Sequence, residues 1–176
     1  MELDIFNKFG TYGGVIVFLL SVYLLRNHST LLFFYTIGIF MNALLVVFLK
    51  GIIQQPRPFI SSREFELAMK NNKKYMFKDG LPYGLFGMPS GHSSTVLFST
   101  VFVYLALREK KWLYVYLLIS AIVINQRVAY RHHTVAQVIA GSGLGALVAY
   151  IVYILSEKKL KGIIREKKDD NGPRLT

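Results

Sequence analysis

The chain contains no cysteine, which excludes a disulfide framework and any thiolate metal site. It is also poor in charge. Only 18% of its 176 residues are charged and 53% are hydrophobic, whereas an ordinary soluble domain carries about 25% charge. Acidic groups are the scarcest, with 10 Asp and Glu against 21 Lys and Arg and a net charge of +11. The polar stripe that a helix of a soluble bundle requires is missing from "LLFFYTIGIFMNALLVVFL" (31–49). Together these absences point away from a soluble enzyme and toward a membrane.

What is present is apolar sequence in blocks: "GGVIVFLLSVYLL" (13–25), residues 31–49, "SSTVLFSTVFVYLAL" (93–107), "WLYVYLLISAIVIN" (112–125) and "TVAQVIAGSGLGALVAYIVYIL" (134–155). A bilayer-crossing helix needs about 20 mostly apolar residues. The second and fifth blocks meet this alone, the others with their flanks. The pattern predicts an all-α integral membrane helical bundle of about five transmembrane helices. One membrane-embedded domain is expected over residues 1–156, followed by a basic tail over 157–176. The start, "MELDIFNK", is acidic where a signal peptide is basic, so the first span is expected to stay as an anchor.

Five spans put the N-terminus, the segment 50–91 and the stretch 126–133 on one side. "RNHST" (26–30), "REKK" (108–111) and the tail lie on the other. Short cytoplasmic loops carry excess Lys and Arg. "REKK" and the tail, with Lys158, Lys159, Lys161 and Arg165, therefore predict a cytoplasmic face there. The long segment should face outward or into a lumen. Within it, "SSREFELAMKNNKKYMF" (61–77) is expected to form a short interfacial helix. The tail reads as a solvated stop-transfer flank, with anionic lipid as its alternative ligand.

Three stretches on the outer face carry the chemistry. They are "LKGIIQQPRP" with Lys50 and Arg57 (motif region 50–58), "GMPSGHSS" with Ser90, Gly91 and His92 (89–92), and "QRVAYRHHTVAQ" with Arg127, His132, His133 and Gln137 (127–137). Ionisable residues at membrane depth cost about 2.5–3.5 kcal/mol each and usually mark a site. The ligand that reconciles Lys50, Arg57, Arg127 and a helix N-terminus is an anion, and phosphate fits best. Arginine forks onto two oxygens and lysine adds a point charge. Helix N-terminal N–H groups add donors, Gly91 allows close approach, and the Ser90 hydroxyl is a further donor. These stretches hold no carboxylate cluster, so no metal and no cofactor are expected.

Two imidazoles beside a phosphate suggest a nucleophile and a proton carrier. His133 is assigned as nucleophile because Gln137, at i+4, shares its helix face. The amide oxygen can accept the Nδ1–H and leave Nε2 aimed at phosphorus. His92 then acts as acid and later activates water, while His132 lies on another face.

"K-x6-RP" (Lys50, Arg57, Pro58), "PSGH" (Pro89 to His92) and "R-x5-H" (Arg127, His133) resemble, in order and spacing, the three signature motifs of the type-2 phosphatidic acid phosphatase superfamily. The resemblance covers roughly residues 42–155. It implies a helical membrane enzyme that hydrolyses lipid phosphates or diphosphates through a phosphohistidine without metal. Lys50, Arg57, Ser90, Gly91 and Arg127 would hold phosphate, with His92 as acid/base and His133 as nucleophile.

Two positions depart from the pattern. Gln126 stands where the family usually has serine, and Gln137 where it has aspartate. A charged hydrogen bond contributes about 1.5–3 kcal/mol and a neutral one about 0.5–1.5. The amide therefore slows turnover about tenfold, and Gln137→Asp is expected to retain or raise it. The glutamine looks like that of dolichyl diphosphate phosphatases, which also carry His-Thr-x-x-Gln-Val. The resemblance implies a polyprenyl (dolichyl- or undecaprenyl-type) diphosphate substrate. The membrane would be the endoplasmic reticulum with a lumenal site in a eukaryote, or the plasma membrane with an extracytoplasmic site in a bacterium. The expected partners are the lipid substrate and membrane lipids, not nucleic acid, with the oligomeric state open. Alternatives are a phosphatidate, phosphatidylglycerophosphate or sphingoid-phosphate phosphatase, a non-catalytic phospholipid-binding scaffold, and, least favoured, a transporter.

Overall fold

A computed structural model gives the fold and describes residues 5–78 and 80–162. The elements are α1 (Ile5–Leu25), α2 (Ser29–Ile53), α3 (Ser62–Lys70), β1 (Tyr75–Lys78), β2 (Leu81–Gly84), α4 (Gly91–Leu107), α5 (Lys110–Ala129) and α6 (Val135–Leu160). Helices α1, α2, α5 and α6 are long and apolar enough to cross a membrane. Helix α4 has 17 residues and is about 26 Å long, short of a hydrocarbon core of about 30 Å. Its position explains the short length: α4 packs against all four long helices, so it contacts protein more than lipid. The molecule is an all-α membrane helical bundle, as its apolar blocks predicted.

Lipid is as apolar as leucine, so close packing and interhelical hydrogen bonds hold such a bundle together. Gly141 and Gly145 of α6 lie directly on the Ser90 and Ser94 backbone of α4, where any side chain would strike a carbonyl. Ser94 Oγ donates to Asn42 Oδ1 of α2 at 2.9 Å. Hydroxyl pairs tie Tyr35 to Ser99 at 2.9 Å, Thr100 to Ser120 at 2.9 Å and Ser21 to Tyr116 at 2.7 Å. Phe33, Phe40, Val47 and Phe48 point outward and stay exposed, the face that suits lipid.

The segment after α2 corrects one expectation. Residues 61–77 were expected to form one helix; the helix ends at Lys70 and a hairpin follows. The Ser61–Glu64 capping box starts α3. Asn72, at φ 51°, turns the chain out of it. β1 then pairs antiparallel with β2, Tyr75 opposite Gly84 and Lys78 opposite Leu81, beside Gly80 at φ 78°. The hairpin folds over the helix ends: Pro56 bridges Phe86 and Lys78 Nζ donates to the Tyr130 carbonyl. Helix α6 continues past residue 156 to Leu160. The tail from residue 163 and the acidic start, residues 1–4, lie outside the described residues.

Candidate active site

The ends of α2 and α5 and the starts of α4 and α6 converge beneath the hairpin, and each delivers predicted groups. Ser90 caps α4, its oxygen accepting from Ser93 N at 3.4 Å and Ser93 Oγ at 3.0 Å. Gly91 and His92 thus form the first helical turn. Thr134 and Gln137 form a reciprocal capping box at the start of α6. His133 is fixed just ahead of that box, its backbone N–H bonded to the Arg127 carbonyl at 3.0 Å.

The His133 ring sits between two partners. Arg57 Nη1 lies 3.0 Å from His133 Nε2, and Gln137 Oε1 lies 3.1 Å from Nδ1. A guanidinium only donates, so Nε2 accepts and the ring proton is on Nδ1. The same tautomer follows from the other side. Gln137 Nε2 donates to the Pro56 carbonyl at 2.9 Å and to Gln55 Oε1 at 3.0 Å, which turns Oε1 toward His133. The lone pair on Nε2 is therefore the one available for chemistry.

Two of the cations are anchored on backbone oxygens and the third on a hydroxyl. Arg57 Nε donates to Gly84 O at 2.7 Å and Nη1 to His132 O at 3.0 Å. Lys50 Nζ donates to Phe86 O at 2.8 Å. Arg127 Nη2 donates to Thr11 Oγ1 at 3.1 Å, while its Nε is buried without a protein partner. Ser90 N donates to the Gln137 carbonyl at 3.0 Å, which sets the start of α4, with Gly91 and His92, against the start of α6. All the predicted groups are therefore brought together at one end of the bundle. Ser90 is fully buried, with its oxygen engaged in the helix cap.

Among the described residues no acid balances this positive charge, and the charge shapes the histidines. Burial, then the charges of Arg57 and Lys50, hold the His133 imidazole far below the usual histidine range, and the Gln137 bond opposes this only in part. Burial, with Arg127, Lys78 and Arg57, takes His132 down to about 4. Burial lowers Arg57 to about 10, with Tyr83 opposing the shift, so it remains a cation at neutral pH. A site with this charge and two neutral imidazoles is made for an anion.

Several contributors were not foreseen. Gln55 and the Pro56 carbonyl hold the Gln137 amide, and Gly87 leaves room for it, since a side chain there would run into that amide. Tyr83 stacks on His132 with ring centroids 4.8 Å apart. Thr11 comes from α1. Gln55, Pro56 and Gly87 lay inside the quoted stretches, but nothing there pointed to Gln137, 82 positions beyond Gln55. Gln126, at the family's serine position, donates to Asn7 Oδ1 at 2.6 Å and so ties α5 to α1.

A family model described as the PAP2 superfamily matches residues 29–161. The chain belongs to the PAP2 superfamily. No curated protein and no solved structure matches it. PAP2 superfamily members are phosphatases, and this chain is accordingly a phosphate hydrolase set in a bundle of membrane-crossing length. The matched span begins at the first residue of α2, so α1 lies outside it.

Proposed function

We propose that the protein hydrolyses a polyprenyl diphosphate to the monophosphate without a metal, through a phosphohistidine on His133. The observation that carries this reading is the His133 ring, held by Gln137 and Arg57 with Nε2 unprotonated inside a cationic cluster. Lys50, Arg57, Arg127 and the first turn of α4 with Ser90 and Gly91 receive the terminal phosphate. Nε2 attacks phosphorus, and the bond to the bridging oxygen breaks. His92 protonates that oxygen as the lipid monophosphate leaves. His92 then takes a proton from water, whose oxygen displaces His133 and releases inorganic phosphate.

The lipid part rests on a groove. An apolar groove of about 820 Å³ runs between α1, α2 and α4, with Phe18, Ile37, Phe40 and Val46 on its walls and Gly91 and His92 at its polar end. The residue given the leaving-group proton thus stands where the tail would begin. Along α2 the groove extends from Thr36 to Val47, about 17 Å at 1.5 Å per residue. The short loop opposite, with Arg108, Lys110 and Lys111, favours a cytoplasmic face there, which supports a site facing a lumen or the outside of the cell. Residues 1–156 form the catalytic membrane domain in this reading.

The test is phosphate release by purified protein from prenyl diphosphate, prenyl monophosphate, phosphatidate, phosphatidylglycerophosphate and sphingoid phosphate, with a chelator present. Prenyl diphosphate is expected to be the best substrate. Preference for a glycerolipid monophosphate would discard the prenyl assignment, and loss of turnover in chelator would discard the metal-free mechanism.

A further inference from the structure

Helix α1 lies outside the span that marks the family, yet one of its residues bonds one of the groups given chemical roles above and stands beside another. Thr11 Oγ1 accepts from Arg127 Nη2 at 3.1 Å, and Thr11 and His92 stand together at the polar end of the apolar groove, with the Thr11 backbone acting on the His92 ring. Two further features hold Thr11 there. Gln126 Nε2 bonds Asn7 Oδ1 at 2.6 Å, one turn earlier on α1. Gly10 and Gly13 present bare backbone to the Gln126 and Val123 side chains of α5, with no room for a Cβ at either position.

We infer that Thr11 is a positioning residue for the reaction: its carbonyl fixes the proton-bearing nitrogen of His92, and its hydroxyl orients Arg127 toward the phosphate. A carbonyl can only accept, so the His92 ring keeps one N–H on Thr11 both as the imidazolium that meets the leaving oxygen and as the neutral ring that meets water. Its second nitrogen is then the one that exchanges a proton with the leaving oxygen and with water. The hydroxyl anchors one nitrogen of a guanidinium whose Nε is buried and unpaired, which leaves that fork to the ligand. Helix α1 is thereby part of the active site, held there by its glycines.

This inference rests on the phosphatase reading, and its two halves are tested separately. Thr11→Val removes the hydroxyl while keeping shape, and Thr11→Ser keeps the hydroxyl. A hydrogen bond to a charged group carries roughly tenfold or more. Thr11→Val is therefore expected to raise KM for a prenyl diphosphate about tenfold with kcat little changed, and Thr11→Ser to recover most of that loss. Gly13→Leu pushes α1 off Val123 without altering any group that meets substrate. It is expected to cut hydrolysis of an alkyl monophosphate, whose alkoxide needs a proton, at least tenfold. Hydrolysis of p-nitrophenyl phosphate, whose leaving group needs none, should fall less than threefold, a split that general loosening of the fold does not produce.

Equal KM in Thr11→Val and Thr11→Ser, or equal losses on the two esters in Gly13→Leu, would overturn the inference while leaving the phosphatase reading in place. A wild-type protein with no turnover of any of these phosphates would instead sink that reading, and this inference with it.

Discussion

Arg57 donates to the Nε2 of His133 at 3.0 Å, so the ring we propose as nucleophile rests with its lone pair capped by the guanidinium. An incoming phosphate is a stronger acceptor than a neutral imidazole, and it draws that donor away as it binds. In the proposed mechanism, substrate binding and release of the nucleophile are then one event, with Arg57 as the link.

Arg57→Lys keeps the charge but loses the planar fork that holds Gly84 O, His132 O and His133 together. Losing two charge-assisted bonds of about 1.5 kcal/mol each corresponds to a fall of about 100-fold in kcat/KM. Steady-state kinetics on the purified variant measures it.

The pH dependence follows from the depressed His133. Its ordinary pKa is near 6.5; in the fold, burial and two neighbouring cations keep the ring neutral well below that. The unfolded chain therefore binds more protons as pH falls below about 6.5, so stability from this group is present above that pH and declines below it. His132, taken down to about 4, acts in the same direction. For activity, the acid limb of kcat/KM assigned to His133 is expected well under 6.5, once the substrate's own ionisation near 6 is divided out. A limb at 6.5 or above contradicts this environment.

Gln137→Asp weighs two effects. The new charge favours the imidazolium by about 1–1.5 kcal/mol. Against it, Gln55 Oε1 and Pro56 O lose the donor they now share, at about 1 kcal/mol each. The terms nearly cancel, so turnover within about threefold of wild type is expected, a narrower outcome than the charge argument alone supports. A tenfold gain would show that the amide's two acceptors contribute little.

The bundle was legible because membrane burial writes long apolar runs into the chain. The motif residues were legible because cations at a span edge are costly and therefore conspicuous. Helix α4 was harder to delimit, since its surroundings are protein and its 17 residues fall below a span's usual length. The hairpin was hidden because four-residue strands, "YMFK" and "LPYG", show too little alternation to compete with the helical reading of "SSREFELAMK". Gln55, Tyr83 and Thr11 were illegible for another reason: their partners are 82, 49 and 116 positions away, and nothing local marks a long-range contact.

Ala43 lines the apolar groove and is exposed, so a larger side chain fits there without disturbing the core. Ala43→Trp is expected to lower the ratio of long-chain to five-carbon prenyl diphosphate turnover at least tenfold. An unchanged ratio, with both substrates assayed in the same detergent, would remove the groove from the account.

The most direct test follows the phosphorus. Incubated with prenyl diphosphate labelled in its terminal phosphate and quenched in alkali, the wild-type protein is expected to carry base-stable, acid-labile label on the peptide containing His133. His133→Ala, purified alongside it, is expected to carry none and to release no phosphate. Phosphate release by His133→Ala at the wild-type rate would contradict the central claim.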